Sequence, residues 1–119
     1  MAYVDGIIIP VPKKKFAAYR AMSKTFGKVC REHGALEYRE SVADDVKVGK
    51  RTSFPRSVKL KAGETVVFAW VVYKSRAARD RATKKIMKDK RVAALMNPKS
   101  APFDGKRMIF GGFKTFISL

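Results

Sequence analysis

Val66-Val67-Phe68-Ala69-Trp70-Val71-Val72-Tyr73 is the most strongly patterned stretch of the chain, and the pattern is two-sided. β-Branched and aromatic residues suit a pleated, half-buried surface, so the run reads as a strand. Side chains alternate across a strand. Val66, Phe68, Trp70 and Val72 therefore share one side, and Val67, Ala69, Val71 and Tyr73 the other. Neither side is polar, so both faces need cover from water.

Residues 2–10 (AYVDGIIIP) form a second stretch of the same kind, closed by Pro10 and Pro12. Pro12 suits the first turn of a helix, where its missing N–H costs nothing. From Lys13 to about Arg31 the residues Phe16, Tyr19, Met22, Phe26 and Val29 recur every three or four positions, one helical face. Gly34 closes that helix as a left-handed cap. Gly27 is its weak point, costing about 1 kcal/mol relative to Ala. Residues 35–43 alternate, with Leu36, Tyr38 and Val42 on one side and Glu37, Arg39 and Ser41 on the other. Glu40 interrupts the apolar side, and the strand reads as a sheet edge.

Residues 44–62 hold Asp44-Asp45, Gly49 and Pro55, a long polar excursion with a short strand expected near Ser57–Leu60. Ser75 is an N-cap for a helix running to about Met96, in which Ala78, Ala82 and Ile86 keep a four-residue spacing. Asn97-Pro98 ends it. A last strand is expected from about Lys106 to Ser118, where Gly111-Gly112 indicates a bulge or a close backbone approach.

The order is βαββαβ: one α+β domain, residues 1–119, with a four-stranded antiparallel sheet and both helices on one face. The first and third strands belong in the centre. Two helices cover one face only, yet strands one, three and four are apolar on both. A second copy, sheet against sheet, is the economical cover, so a homodimer is expected.

Composition narrows the function classes. Apolar residues are 46% of the chain, with eight Phe and four Tyr, a globular balance. No apolar run approaches the roughly 18 residues that span a bilayer, so no membrane insertion is expected. The start of the chain lacks a signal-peptide pattern, and the lone Cys30 forms no internal disulfide, so the expected location is cytoplasmic. With one Cys and one His there is no metal-ligand spacing, and no cofactor motif is present. Lys and Arg number 27 against 10 Asp and Glu, a net charge of +17 spread along the whole chain. Such a field attracts nucleic acid, anionic membranes and acidic proteins without choosing among them.

Tyr3-Val4-Asp5-Gly6, Arg31-Glu32-His33-Gly34-Ala35-Leu36, and Pro102-Phe103-Asp104-Gly105-Lys106-Arg107-Met108-Ile109 with Gly111-Gly112-Phe113 resemble the YbaA-like family of small bacterial proteins. The likeness covers essentially the whole chain. It implies the dimeric α/β-barrel superfamily, in which two ferredoxin-like sheets face each other, and it assigns no activity. Some members carry a label linking them to signal recognition particle RNA, which makes RNA a partner the resemblance implies. Superfamily relatives include monooxygenases acting on aromatic substrates or haem. The haem-degrading ones rely on a His in or near the second helix, and this sequence has none there.

No nucleophile motif or phosphate loop is present, so no catalytic residue is assigned. His33 beside Glu32 fits a general base or, more simply, a cation at a helix C-terminus. Tyr38, Glu40, Trp70, Tyr73, Arg107 and Phe110 are the candidate ligand pocket for a small apolar or aromatic molecule between sheet and partner, with Arg39 and Asp104 as further polar contacts. Core and interface packing is the simpler reading of the same aromatics. Arg81, Lys84, Lys88 and Arg91 make one stripe of the second helix, the alternative nucleic-acid surface. An RNA-recognition sheet is not expected, because 66–73 lacks the Gly and basic start of that motif's third strand.

Overall fold

The computed structural model describes residues 1–119. Four strands, β1 (Tyr3–Pro12), β2 (Glu37–Val42), β3 (Glu64–Tyr73) and β4 (Ile109–Lys114), form one antiparallel sheet in the order β2-β3-β1-β4. The helices are α1 (Phe16–Glu32), the short α2 (Phe54–Ser57), α3 (Arg76–Lys88) and α4 (Lys90–Leu95). None is long and apolar enough to cross a membrane. β1 and β3 take the centre of the sheet, as expected, while β4, also apolar on both sides, lies at an edge.

Register assigns the faces. Tyr3 pairs with Tyr73, Ile7 with Ala69 and Ile9 with Val67, and these side chains lie under the helices. The core there joins Val29 and Cys30 of α1 to Ala82 and Ile86 of α3 and Val92 of α4, all buried against Val71 and Tyr73. Phe16, Tyr19 and Met22 pack nearby over Ile9, Val11 and Val67. The helical face expected of α1 is the one buried.

Several local expectations are corrected. Pro12 ends β1 and caps a single 3-10 turn, Lys13–Lys15, so α1 starts at Phe16; without an N–H, Pro12 suits a strand end as well as a first helical turn. The second long helix is broken: Asp89 has an extended conformation, ends α3, and caps α4 by accepting from the Arg91 N–H. Near residue 57 there is no strand. Pro55 stands in the first turn of α2, with the Ser53 hydroxyl accepting from the Arg56 N–H. β4 is shorter than expected and carries no bulge, because its pairing with β1 runs unbroken through Gly111 and Gly112. The glycines serve close approach instead. A Cβ on Gly112 would meet the Tyr3 hydroxyl, and the Arg79 guanidinium at 2.6 Å.

Gly34 has φ +116°, the cap expected of glycine. Gly27 has a different reason to be glycine. Tyr38 lays its ring against the helix there, and a Cβ at 27 would stand 2.7 Å from that ring. The crowding outweighs the helix preference. We expect Gly27→Ala to lower the unfolding free energy by about 1–2 kcal/mol, overpacking exceeding the ~1 kcal/mol propensity gain. In a Tyr38→Ala background the same change should stabilise by about 1 kcal/mol. Urea titration of the four variants checks the sign reversal.

Candidate functional site

The face of the sheet away from α1 and α3 leaves an apolar surface open. Val4, Gly6 and Ile8 of β1 stand opposite Val72, Trp70 and Phe68 of β3, and opposite Phe113, Gly111 and Ile109 of β4. The chain covers one end of this face itself. Val58 and Leu60, in the excursion after β2, bury Ile8 and Val66. The remainder is a shallow basin of about 630 Å³ floored by Ile8, Phe68, Trp70, Ile109 and Phe113. Phe68 is 40% exposed and Phe113 64%. Gly6 and Gly111 are paired across the strands, and the Phe113 ring lies beside both, 3.6 Å from where either would carry a Cβ. Phe54, Phe68 and Trp70 continue edge to face, with centroids 5.9 and 5.4 Å apart. The polar margin is Glu37, which accepts from Trp70 Nε1 at 3.3 Å and pairs with Arg39.

The helix face holds a separate polar cluster. Glu40 stands at an apolar-side position of β2, where the sequence reading found an interruption. Both its oxygens accept from tyrosines: Oε1 from the Tyr19 hydroxyl and Oε2 from the Tyr38 hydroxyl, the latter at 2.5 Å. Burial, and then the neighbouring carboxylate, push both phenols well above the ordinary tyrosine range. Burial does the same to Tyr73 and pushes the Cys30 thiol up to about 12, so neither Cys30 nor these tyrosines is a ready nucleophile. Tyr19 was read from the sequence only as core. The charge on an apolar face was the available signal that a buried partner existed.

The six residues expected to share a pocket are therefore divided by the sheet. Trp70 lies on the open face, whereas Tyr38, Glu40 and the buried Tyr73 lie under the helices. Phe110, on edge strand β4 and 75% exposed, lines the same basin as Trp70, so these two of the six are brought together. Arg107 precedes β4 and is a latch: it donates to Glu64 Oε1 at 2.8 Å and Oε2 at 2.6 Å, to Asp104, and to the carbonyl of Lys59. Its guanidinium holds both carboxyls below their usual range. Arg107 and Asp104 are thus occupied by each other and by β3.

The expected basic stripe is divided too. Arg81, Lys84 and Lys88 are exposed on α3, but Arg91 belongs to α4, where it chelates Asp89 and pairs with Glu32 of α1. His33 caps α1, with Nε2 3.5 Å from Asp89, and nothing orients it toward a cavity as a base. A second cluster was not legible in advance: Arg79 lies over the Tyr3 ring at 4.9 Å, donates to its hydroxyl at 3.0 Å, and faces Asp5. No group of three or more His, Cys, Asp or Glu side chains is placed to hold a metal ion.

Comparison with known proteins agrees with this architecture. The family described as "Protein of unknown function (DUF1428)" matches residues 2–105. "Uncharacterized protein YbaA" of Escherichia coli K12 is 45% identical over 117 residues, 98% of each chain, and that of Shigella flexneri is equally similar. Among solved structures, a dimeric ferredoxin-like protein from an uncultured marine organism superposes with a TM-score of 0.65 at 10% identity, covering 99% of this chain and 98% of that one. Rv0793 from Mycobacterium tuberculosis gives 0.60 at 13% identity, covering 99% and 98%. SnoaB, a cofactor-independent oxygenase from Streptomyces nogalater, gives 0.56 at 13% identity, covering 99% and 96%. At those identities the likeness is one of fold.

The buried phenols fix a pH dependence. Their folded pKa values are raised, so the stability they contribute is complete below about pH 10, the unfolded value, and is lost as pH climbs through the raised values. We expect Tyr19 and Tyr38 to remain un-ionised well above pH 10 while the fold persists, read as phenolate absorbance. Glu40→Gln should bring their ionisation to lower pH. Ordinary titration of both in the folded protein would contradict the geometry.

Proposed function

We propose that this chain, which belongs to the DUF1428 family, works as a homodimer that pairs its open sheet faces and binds a small apolar or aromatic molecule between them. The single supporting observation is the uncovered basin around Phe68, Trp70, Ile109 and Phe113. A two-fold axis lets the same patch cover itself, and sheets so packed stand about 10 Å apart.

The basin, about 630 Å³ while open on one side, lies in the size range of small-molecule sites. A lid from a partner would turn it into an enclosed cavity. Its walls are aromatic and aliphatic, and Trp70, Glu37 and Arg39 supply a polar edge on one side only. Such a lining selects for apolar bulk with at most one polar end. Binding of such a molecule is the activity these residues support.

Light scattering at micromolar concentration should give twice the chain mass. Phe68→Glu or Trp70→Glu, which places a carboxylate in the interface, should give a folded monomer, checked by unchanged far-ultraviolet circular dichroism. Native mass spectrometry of freshly purified protein should then find any small ligand on the dimer and none on the monomer. A wild-type monomer would end the proposal.

A further inference from the structure

The large positive charge is not used to hold the protein together. Of the ten acids, eight are engaged: Asp5, Glu32, Glu37, Glu64, Asp80, Asp89 and Asp104 by arginines, and Glu40 by two tyrosines. Arg39, Arg76, Arg79, Arg91 and Arg107, together with His33, supply the cations of every ion pair. No lysine takes part in one. The lysines therefore project an unneutralised field, and the question is where it is organised.

One place organises it. Between the outer flank of α1 and β2 runs an open groove of about 620 Å³ whose helical side carries Arg20, Lys24, Lys28 and Arg31. Offsets of four, four and three keep these on one line of the helix, about 16 Å long at ~1.5 Å per residue. Arg31 is anchored by donating to the Leu36 carbonyl, which holds that end of the line in place. Arg20, Lys24 and Lys28 have no carboxylate partner. Gly27 and Tyr38 line its inner side, the Tyr38 ring packed where a side chain at 27 would stand. The two acids that border it are already bound, Glu40 by the tyrosines and Glu32 by Arg91.

We infer that this groove binds single-stranded nucleic acid by its phosphates. The Glu40 carboxylate at its floor disfavours a small anion that would seat deep. An elongated polyanion lying along the rim meets four cations and keeps its distance from that floor. A row of cations on one helix flank contacts successive backbone charges without reading bases, so affinity comes from counterion release and little sequence preference is expected. The groove lies on the helix side of the sheet, opposite the proposed dimer face, so the two surfaces are independent.

The test is fluorescence anisotropy with a short labelled single-stranded RNA, and a DNA of the same sequence, across a salt series. Wild type should bind both, with the logarithm of the binding constant falling linearly in log salt. Lys24→Gln/Lys28→Gln should make that slope shallower by about 1.4, two contacts at ~0.7 each for a single strand. Lys84→Gln/Lys88→Gln, an equal charge loss on α3, should leave it unchanged. Equal losses in both variants would replace the groove with a diffuse field and overturn the inference, as would an absence of binding. Competition by polyglutamate as strong as by unlabelled RNA would also overturn it, making an acidic protein the partner.

Discussion

The structure depends on unequal cover for a sheet that is apolar on both sides. Three helical segments, α1, α3 and α4, close over one face and bury Val67, Ala69, Val71 and Tyr73. The other face receives only the segment after β2, which reaches as far as Ile8 and Val66. Covering Phe68, Trp70, Ile109 and Phe113 from within would require another layer of secondary structure. Burying apolar area is worth about 25 cal/mol per Å², so an uncovered basin is a standing drive toward association.

Charge is divided by chemistry. Arginine, whose planar fork meets a carboxylate with two bonds, does the structural pairing, at Glu64 with Arg107 and at Glu32 and Asp89 with Arg91. Lysine, a compact and strongly hydrated point charge, is left facing water. A net charge of +17 therefore coexists with a well-bonded interior, because the repulsion is spread over exposed stems and screened by salt.

Two anomalies of the sequence turn out to be one feature. Glycine in the middle of α1 and a carboxylate on the apolar side of β2 each look unfavourable alone. Tyr38 connects them: its ring needs the space at Gly27, and its hydroxyl satisfies Glu40, whose other oxygen is satisfied by Tyr19 from α1. A half-buried carboxylate on this face is destabilising unless donors such as these satisfy it. The cluster fixes the distance between α1 and the sheet edge, and with it the width of the groove.

Alternation and three-to-four spacing alone determined the element order, the central places of β1 and β3, the buried face of α1, and the sidedness of 66–73, because period and strand register are local properties that carry directly into the sheet. The sequence also marked Gly27 and Glu40 as exceptions. Only the tertiary structure decided what they meant, since Tyr19, Gly27, Tyr38 and Glu40 meet across a helix–strand contact that has no fixed spacing along the chain. The break at Asp89 was not marked by the helical periodicity, which runs on through a residue that instead caps α4 by accepting from the Arg91 N–H. The division of the aromatic residues between two faces was hidden too. A list of large side chains has no sidedness until register places Trp70 above the sheet and Tyr38 and Tyr73 below it.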